Sequence, residues 1–160
     1  MEEITNRSLK AQRVIRKRFK TTRAEFGIDI AAGFSELFIA IDWKLDAIDG
    51  KIFAQLYNDK FLQEIIDVEV CIPIGSDFPI PPDVAVCLLP AHTMTLCSLH
   101  QGDIGDIGPA YQTIREYADA NYHKLMFPVR ETYLDYSSQH PVTEISWPIN
   151  LSGLTGMEDD

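Results

Sequence analysis

The sequence predicts an α+β fold of two tandem strand-helix-strand-strand units, with an antiparallel sheet, helices on one face and a ligand groove between the halves. Three observations carry this expectation. The chain has 160 residues, 46% of them hydrophobic, which suits one domain with a sizeable core. Its apolar spacing alternates between the two-residue period of strands and the three-and-four period of helices, and does so twice. Two strands also echo each other, since Val68-Glu69-Val70-Cys71-Ile72-Pro73-Ile74 matches Thr143-Glu144-Ile145-Ser146-Trp147-Pro148-Ile149 at Glu, Pro and Ile.

Along the chain, residues 1–9 form a polar N-terminal extension and the domain spans 10–150, in repeat halves of about 10–75 and 90–150. Residues 151–160 are an acidic tail. The segment Ala11 to Phe19 sets Val14 and Ile15 among Arg13, Arg16, Lys17 and Arg18, and reads as a strand near a sheet edge, where cations discourage aggregation. From Arg23 to Trp43, the positions Phe26, Ile30, Gly33, Phe34, Leu37 and Ile41 mark one helix face, with Thr21 or Thr22 as a cap. Asp49-Gly50 is a turn. Lys51 to Asn58 and Ile65 to Ile74 are strands. A proline-rich connector leads to two more, Val84 to Leu89 and Thr93 to His100. Gly102, Gly105 and Gly108 mark a flexible loop, and Pro109 suits the first turn of a helix whose buried face runs through Ala110, Tyr111, Ile114, Tyr117 and Ala118. Val129 to Asp135 and Thr143 to Ile149 complete the sheet. One strand before the echo, Tyr57 aligns with Tyr133 and Gln55 with Glu131.

Fourteen Lys and Arg against 24 Asp and Glu give a net charge of −10. Such a chain repels phosphate backbones and anionic lipid, which excludes direct nucleic-acid or membrane-surface binding by this domain and favours cations as small partners. The longest apolar stretches, such as Val84 to Pro90, fall short of the ~20 residues of a membrane span, and the charged N-terminus has no apolar signal core. Cys71, Cys87 and Cys97 lie in apolar runs, and His92, His100, His123 and His140 are scattered without metal-ligand spacing. The expectation is a reduced, cytoplasmic protein with neither metal nor cofactor.

The last hairpin holds the sharpest chemistry. With a turn centred on Ser137-Ser138, equal spacing places Glu131 opposite Glu144. Facing carboxylates repel unless water, a cation or a shared proton relieves them. Tyr57, Tyr133 and Tyr111 supply aromatic faces, which with a carboxylate make an environment for an organic cation.

Taken together, these residues resemble a known family. Phe53-Ala54-Gln55-Leu56-Tyr57-Asn58-Asp59, the Asp67-to-Pro73 strand, Leu89-Pro90-Ala91-His92, His100-Gln101-Gly102, Ala110-Tyr111, Pro128-Val129-Arg130-Glu131-Thr132-Tyr133-Leu134 and Thr143 to Ile149 stand in the order and spacing of the GyrI-like (gyrase-inhibitor-like) ligand-binding domain. The resemblance covers Lys10 to Ile149. That domain is also the effector-binding part of MerR-type and AraC-type multidrug-responsive regulators. The resemblance implies the tandem fold with its groove, and a glutamate in the Arg-Glu-x-Tyr-Leu strand, here Glu131, that attracts lipophilic cations. It maps the second carboxylate and the aromatic walls onto Glu144, Tyr57 and Tyr111, with Tyr133 at a position where the family varies. The loop Gly102-Asp103-Ile104-Gly105-Asp106 departs from relatives that carry Gly-Pro and an aromatic there.

The expected function is to sense or sequester hydrophobic, cationic small molecules in this aromatic and carboxylate pocket. The domain would act alone or as the effector module of a transcription regulator, with a second copy or a DNA-binding module as macromolecular partners. Two alternatives stand beside it. Some relatives hydrolyse cyclopropane-containing electrophiles, for which Glu131 would be the base and Tyr57 or Tyr133 its partner, although no catalytic signature is visible and the binding role is favoured. The family's namesake inhibits a topoisomerase, a protein-interaction role that an acidic surface would suit.

Overall fold

A computed structural model of the chain describes residues 4–135 and 139–150. In chain order the elements are β1 (Thr5–Leu9), β2 (Gln12–Thr22), α1 (Phe26–Ala40), β3 (Phe53–Leu56), β4 (Ile65–Pro73) and β5 (Ala85–Leu89), followed by β6 (His92–Gln101), α2 (Gly108–Ala120), β7 (Lys124–Leu125), β8 (Val129–Asp135) and β9 (Val142–Asn150). The strands pair antiparallel, so the fold is α+β as expected. The turn expected at Ser137-Ser138 and the tail at 151–160 lie outside the described residues. The chain forms two compact units, Lys10–Ala91 and His92–Asp160, the latter joined by Met1–Leu9. No helix among the described residues is long and apolar enough to cross a membrane.

In the first unit the strand order is β5-β2-β4-β3. The basic strand β2 is thus near the edge, as expected, but one strand in from it, flanked by β4 and β5. Its cations are tolerated there because acids on neighbouring elements meet them. Arg16 reaches Glu69 at 3.2 Å, Lys17 reaches Glu36 of α1 at 2.7 Å, and Arg18 reaches Asp67 at 2.8 Å. Val14 and Ile15 between them are fully buried.

The α1 stripe is the one its spacing predicts: Phe26, Ile30, Gly33, Phe34, Leu37 and Ile41 are all buried. Thr22 Oγ1 accepts from the Glu25 amide at 3.3 Å, and the Thr21 hydroxyl donates to Asp29 at 2.6 Å, so both threonines tie down the start of the helix. Gly33 has a packing reason. A Cβ there would stand 2.9 Å from Val70 Cγ2 and 3.2 Å from the Phe19 ring, so α1 lies directly on β4 and β2.

The second unit has the strand order β1-β6-β9-β8, with β7 on the end of β9. Its succession β6-α2-β8-β9 matches β2-α1-β3-β4 of the first unit, apart from the two-residue β7. Pro109 sits in the first turn of α2, whose buried residues are Ala110, Tyr111, Ile114 and Ala118, while Tyr117 is only half-buried. The glycine loop is built rather than loose. Asp103 accepts from the Gly105 amide at 2.8 Å, His100 Nε2 donates to the Asp103 carbonyl at 2.8 Å, and Ile104–Asp106 closes a 3-10 turn.

Candidate functional site

Glu131 is fully buried in the middle of β8, between Arg130 and Thr132, and is the only acid between Val129 and Leu134. Strand alternation fixes its direction. It stands opposite Ile145 and shares a face with Trp147, two residues further along β9. Tyr111 from α2 packs edge-on against that indole, with ring centroids 5.5 Å apart. The helix therefore lies over the Glu131 face and brings a hydroxyl down to it. Tyr111 donates to Glu131 Oε2, and Tyr133, on the same face two residues along, donates to Oε1 at 3.0 Å. Burying a carboxylate is costly unless hydrogen bonds replace its water. Here two phenols supply such bonds, one to each carboxylate oxygen.

The aromatic layer continues outward. Phe127 meets Trp147 edge-on at 5.7 Å, and the Arg115 guanidinium lies 5.5 Å from the indole centre and 6.0 Å from the Tyr111 ring. An open groove of about 530 Å³ is lined by His92, Met94, Met126, Phe127, Pro148 and Ile149 among others. Burial and the nearby Arg130 charge push the His92 imidazole below its usual value, so it is neutral at pH 7.

The expected pairing of Glu131 with Glu144 does not occur. Glu131 faces Ile145, and Glu144 faces Thr132. Equal spacing about Ser137-Ser138 already fails at Asp135, which faces Val142, two residues out of step, and the register shift between Tyr133 and Asp135 takes back only one of the two. A shift of one residue turns a side chain to the opposite face. Glu144 consequently points away from the Glu131 cluster and pairs with Arg7 of β1 at 2.9 Å. The same slip corrects the alignment of the two halves. Gln55 faces Glu69 as Thr132 faces Glu144, and Ala54 faces Val70 as Glu131 faces Ile145, so Glu131 corresponds to Ala54 rather than Gln55.

Tyr57 belongs to a different cluster, in the first unit. Its hydroxyl donates at 2.9 Å to Glu69, which is itself buried and bridged to Arg16. The Arg18 guanidinium, gripped by Asp67 through two hydrogen bonds, sits 3.8 Å over the Tyr57 ring centre. One aromatic face of Tyr57 thus already carries a cation of the chain. Partial burial, and then the Glu69 charge and hydrogen bond, push the Tyr57 phenol up to about 12. The sequence reading missed Glu69, although a single acid among Val68, Val70 and Cys71 in an otherwise apolar run signals a satisfied buried carboxylate. It also passed over Trp147, Phe127 and Arg115, whose role depends on the helix-to-strand contact.

The family model of the GyrI-like small molecule binding domain matches residues 2–150. No curated protein matches the chain in sequence. Among solved structures, the chain is similar to the EcmrR C-terminal domain, with 21% identity, a TM-score of 0.69, and coverage of 94% of this chain and 98% of that one. EcmrR in its DNA complex gives 18% identity and a TM-score of 0.73 over 93% of this chain, which spans only 57% of the EcmrR chain. SAV2435 bound to tetraphenylphosphonium gives 14% identity and a TM-score of 0.64, covering 93% and 94% of the two chains. A hydrolase from Listeria innocua gives 8% identity and a TM-score of 0.67, covering 92% of each. At such identities the likeness is one of fold.

Proposed function

The chain belongs to the GyrI-like family of small molecule binding domains, and we propose that Glu131, Tyr111 and Tyr133 form the place where it binds a hydrophobic, cationic molecule. The observation that carries this reading is a fully buried carboxylate solvated by two phenols under an aromatic layer. A cation brought to Glu131 gains Coulomb attraction at low dielectric, and ring faces add to it. An apolar body gains by covering Trp147 and Phe127. Because Glu131 is fully covered, binding requires Tyr111 or its neighbours to move aside. We assign no ligand contact to Glu144, which pairs with Arg7, or to Tyr57, whose ring carries Arg18.

The ligand class is supported by SAV2435, a similar fold bound to a lipophilic cation. EcmrR, found with DNA, supports a role as effector module beside a DNA-binding part, in which ligand occupancy is sensed. Calorimetry of Glu131→Gln tests the reading. Removing one partner of a buried charge pair costs about 2 kcal/mol or more. Tetraphenylphosphonium should lose at least ~30-fold in affinity by that figure, while neutral triphenylphosphine oxide is little changed. Equal losses for both would refute the electrostatic role.

One observation favours a second reading. The Tyr133 hydroxyl lies 3.0 Å from Glu131 Oε1, a spacing that suits a base with a positioning phenol. In a hydrolytic role Tyr133 rather than Tyr57 would be the partner. Turnover of a cyclopropane-containing electrophile, abolished in Glu131→Gln, would establish it.

A further inference from the structure

Trp147 is 1% exposed, and its Nε1 is buried with no acceptor among the described residues. An indole nitrogen can only donate, and a buried tryptophan N–H normally finds a partner. An unmade bond of this kind destabilises the folded state, so a partner arriving later gains what folding lost. The position of this orphan donor matters. Tyr111, which donates to Glu131, touches the indole edge-on, and Phe127 touches it from the wall of the groove that also holds Met94, Met126 and Ile149. Trp147 is also the diagonal cross-strand neighbour of Glu131, because Glu131 faces Ile145 two residues away. Such diagonal neighbours lie about 7–8 Å apart, within the span of one small molecule.

We propose that the Trp147 N–H is a ligand contact, and that the molecule bound at Glu131 carries a hydrogen-bond acceptor, a carbonyl or ether oxygen, beside its positive charge and apolar body. This rests on the reading of the Glu131 cluster as the ligand site. It adds a specificity that charge and hydrophobicity alone do not supply, since a donor left unpaired by a wrong ligand discriminates more sharply than apolar contact does.

The test uses the full chain and two phosphonium cations matched in size, (4-acetylphenyl)triphenylphosphonium and (4-isopropylphenyl)triphenylphosphonium. Calorimetry should show the acetyl cation binding about tenfold tighter, equivalent to about 1.4 kcal/mol. In Trp147→Phe that preference should vanish, the two cations being compared within the same variant so that any general loss of aromatic surface affects both alike. A second measurement needs no change at Trp147. In ¹⁵N-labelled protein, with the exposed Trp43 assigned through Trp43→Phe, the Trp147 indole proton should move downfield with the acetyl cation only. Equal affinities, or an indole resonance that responds alike to both, would overturn the inference while leaving the cation site standing. Failure of both cations to bind, or binding indifferent to Glu131→Gln, would overturn the underlying reading and this inference with it.

Discussion

Tyr111→Phe removes one atom from the Glu131 cluster and leaves the ring against Trp147, so packing is preserved and one hydrogen bond is lost. A hydrogen bond to a charged group contributes about 1.5–3 kcal/mol, and one between neutral groups about 0.5–1.5 kcal/mol. Glu131 is fully buried and no bulk water can replace the hydroxyl, so the cost should fall in the upper half of the charged range, at about 2–3 kcal/mol. In a Glu131→Gln background the same change should cost only about 1 kcal/mol, because the acceptor is then neutral. Urea denaturation of the four proteins in a double-mutant cycle reads the difference as a coupling of at least ~1 kcal/mol. A Tyr111→Phe protein as stable as its parent, or a cost identical in both backgrounds, would show that the phenol does not hold the charge.

Three further outcomes follow from the first unit and from the helix over Glu131. Tyr57 should ionise late in an ultraviolet titration, near its raised value of about 12, and Glu69→Gln should bring it down. Since its folded value is raised, its contribution to stability is complete below the ordinary tyrosine value near 10 and is lost as pH climbs towards 12. Gly33→Ala should destabilise the protein by about 1 kcal/mol in urea denaturation, since overpacking against Val70 costs about 1–3 kcal/mol and alanine's helix preference returns only about 1. A stability gain would mean that α1 can lift off β4 freely. Arg115→Gln should tighten tetraphenylphosphonium binding by about threefold in calorimetry, because the guanidinium near the Trp147 and Tyr111 rings competes for the same faces at a cost below 1 kcal/mol. Weakened binding would assign Arg115 a supporting role instead.

Which parts of this arrangement were legible in the chain follows from the range of the interactions involved. The α1 stripe from Phe26 to Ile41 and the strands around Glu131 and Trp147 carry their own periodicity, and they formed where the spacing places them. Strand β1 carries no such pattern. Thr5, Asn6, Arg7 and Ser8 are exposed, and the strand exists because β6 offers an edge to pair with. The hairpin register escaped prediction because equal spacing about the assumed turn is two residues out at Asp135, of which the irregularity between Tyr133 and Asp135 takes back one, and nothing in the residue types marks either step. The Tyr57 cluster required three strands in register, with Arg18 beside Glu69 on one side and Gln55 on the other, and pairwise reading of sequence does not supply that. Glu131 itself was legible through the Arg130-Glu131-Thr132-Tyr133-Leu134 motif, and a carboxylate taken out of water must be met by partners, whichever they are.

The most direct measurement is a crystal structure of the chain with tetraphenylarsonium, whose arsenic can be located by anomalous scattering. The account predicts the arsenic within about 6 Å of the Glu131 carboxylate, the range over which an opposite charge acts strongly, with aryl rings against Trp147 and Tyr111 displaced. Arsenic bound elsewhere, with both phenols still on Glu131, would contradict it.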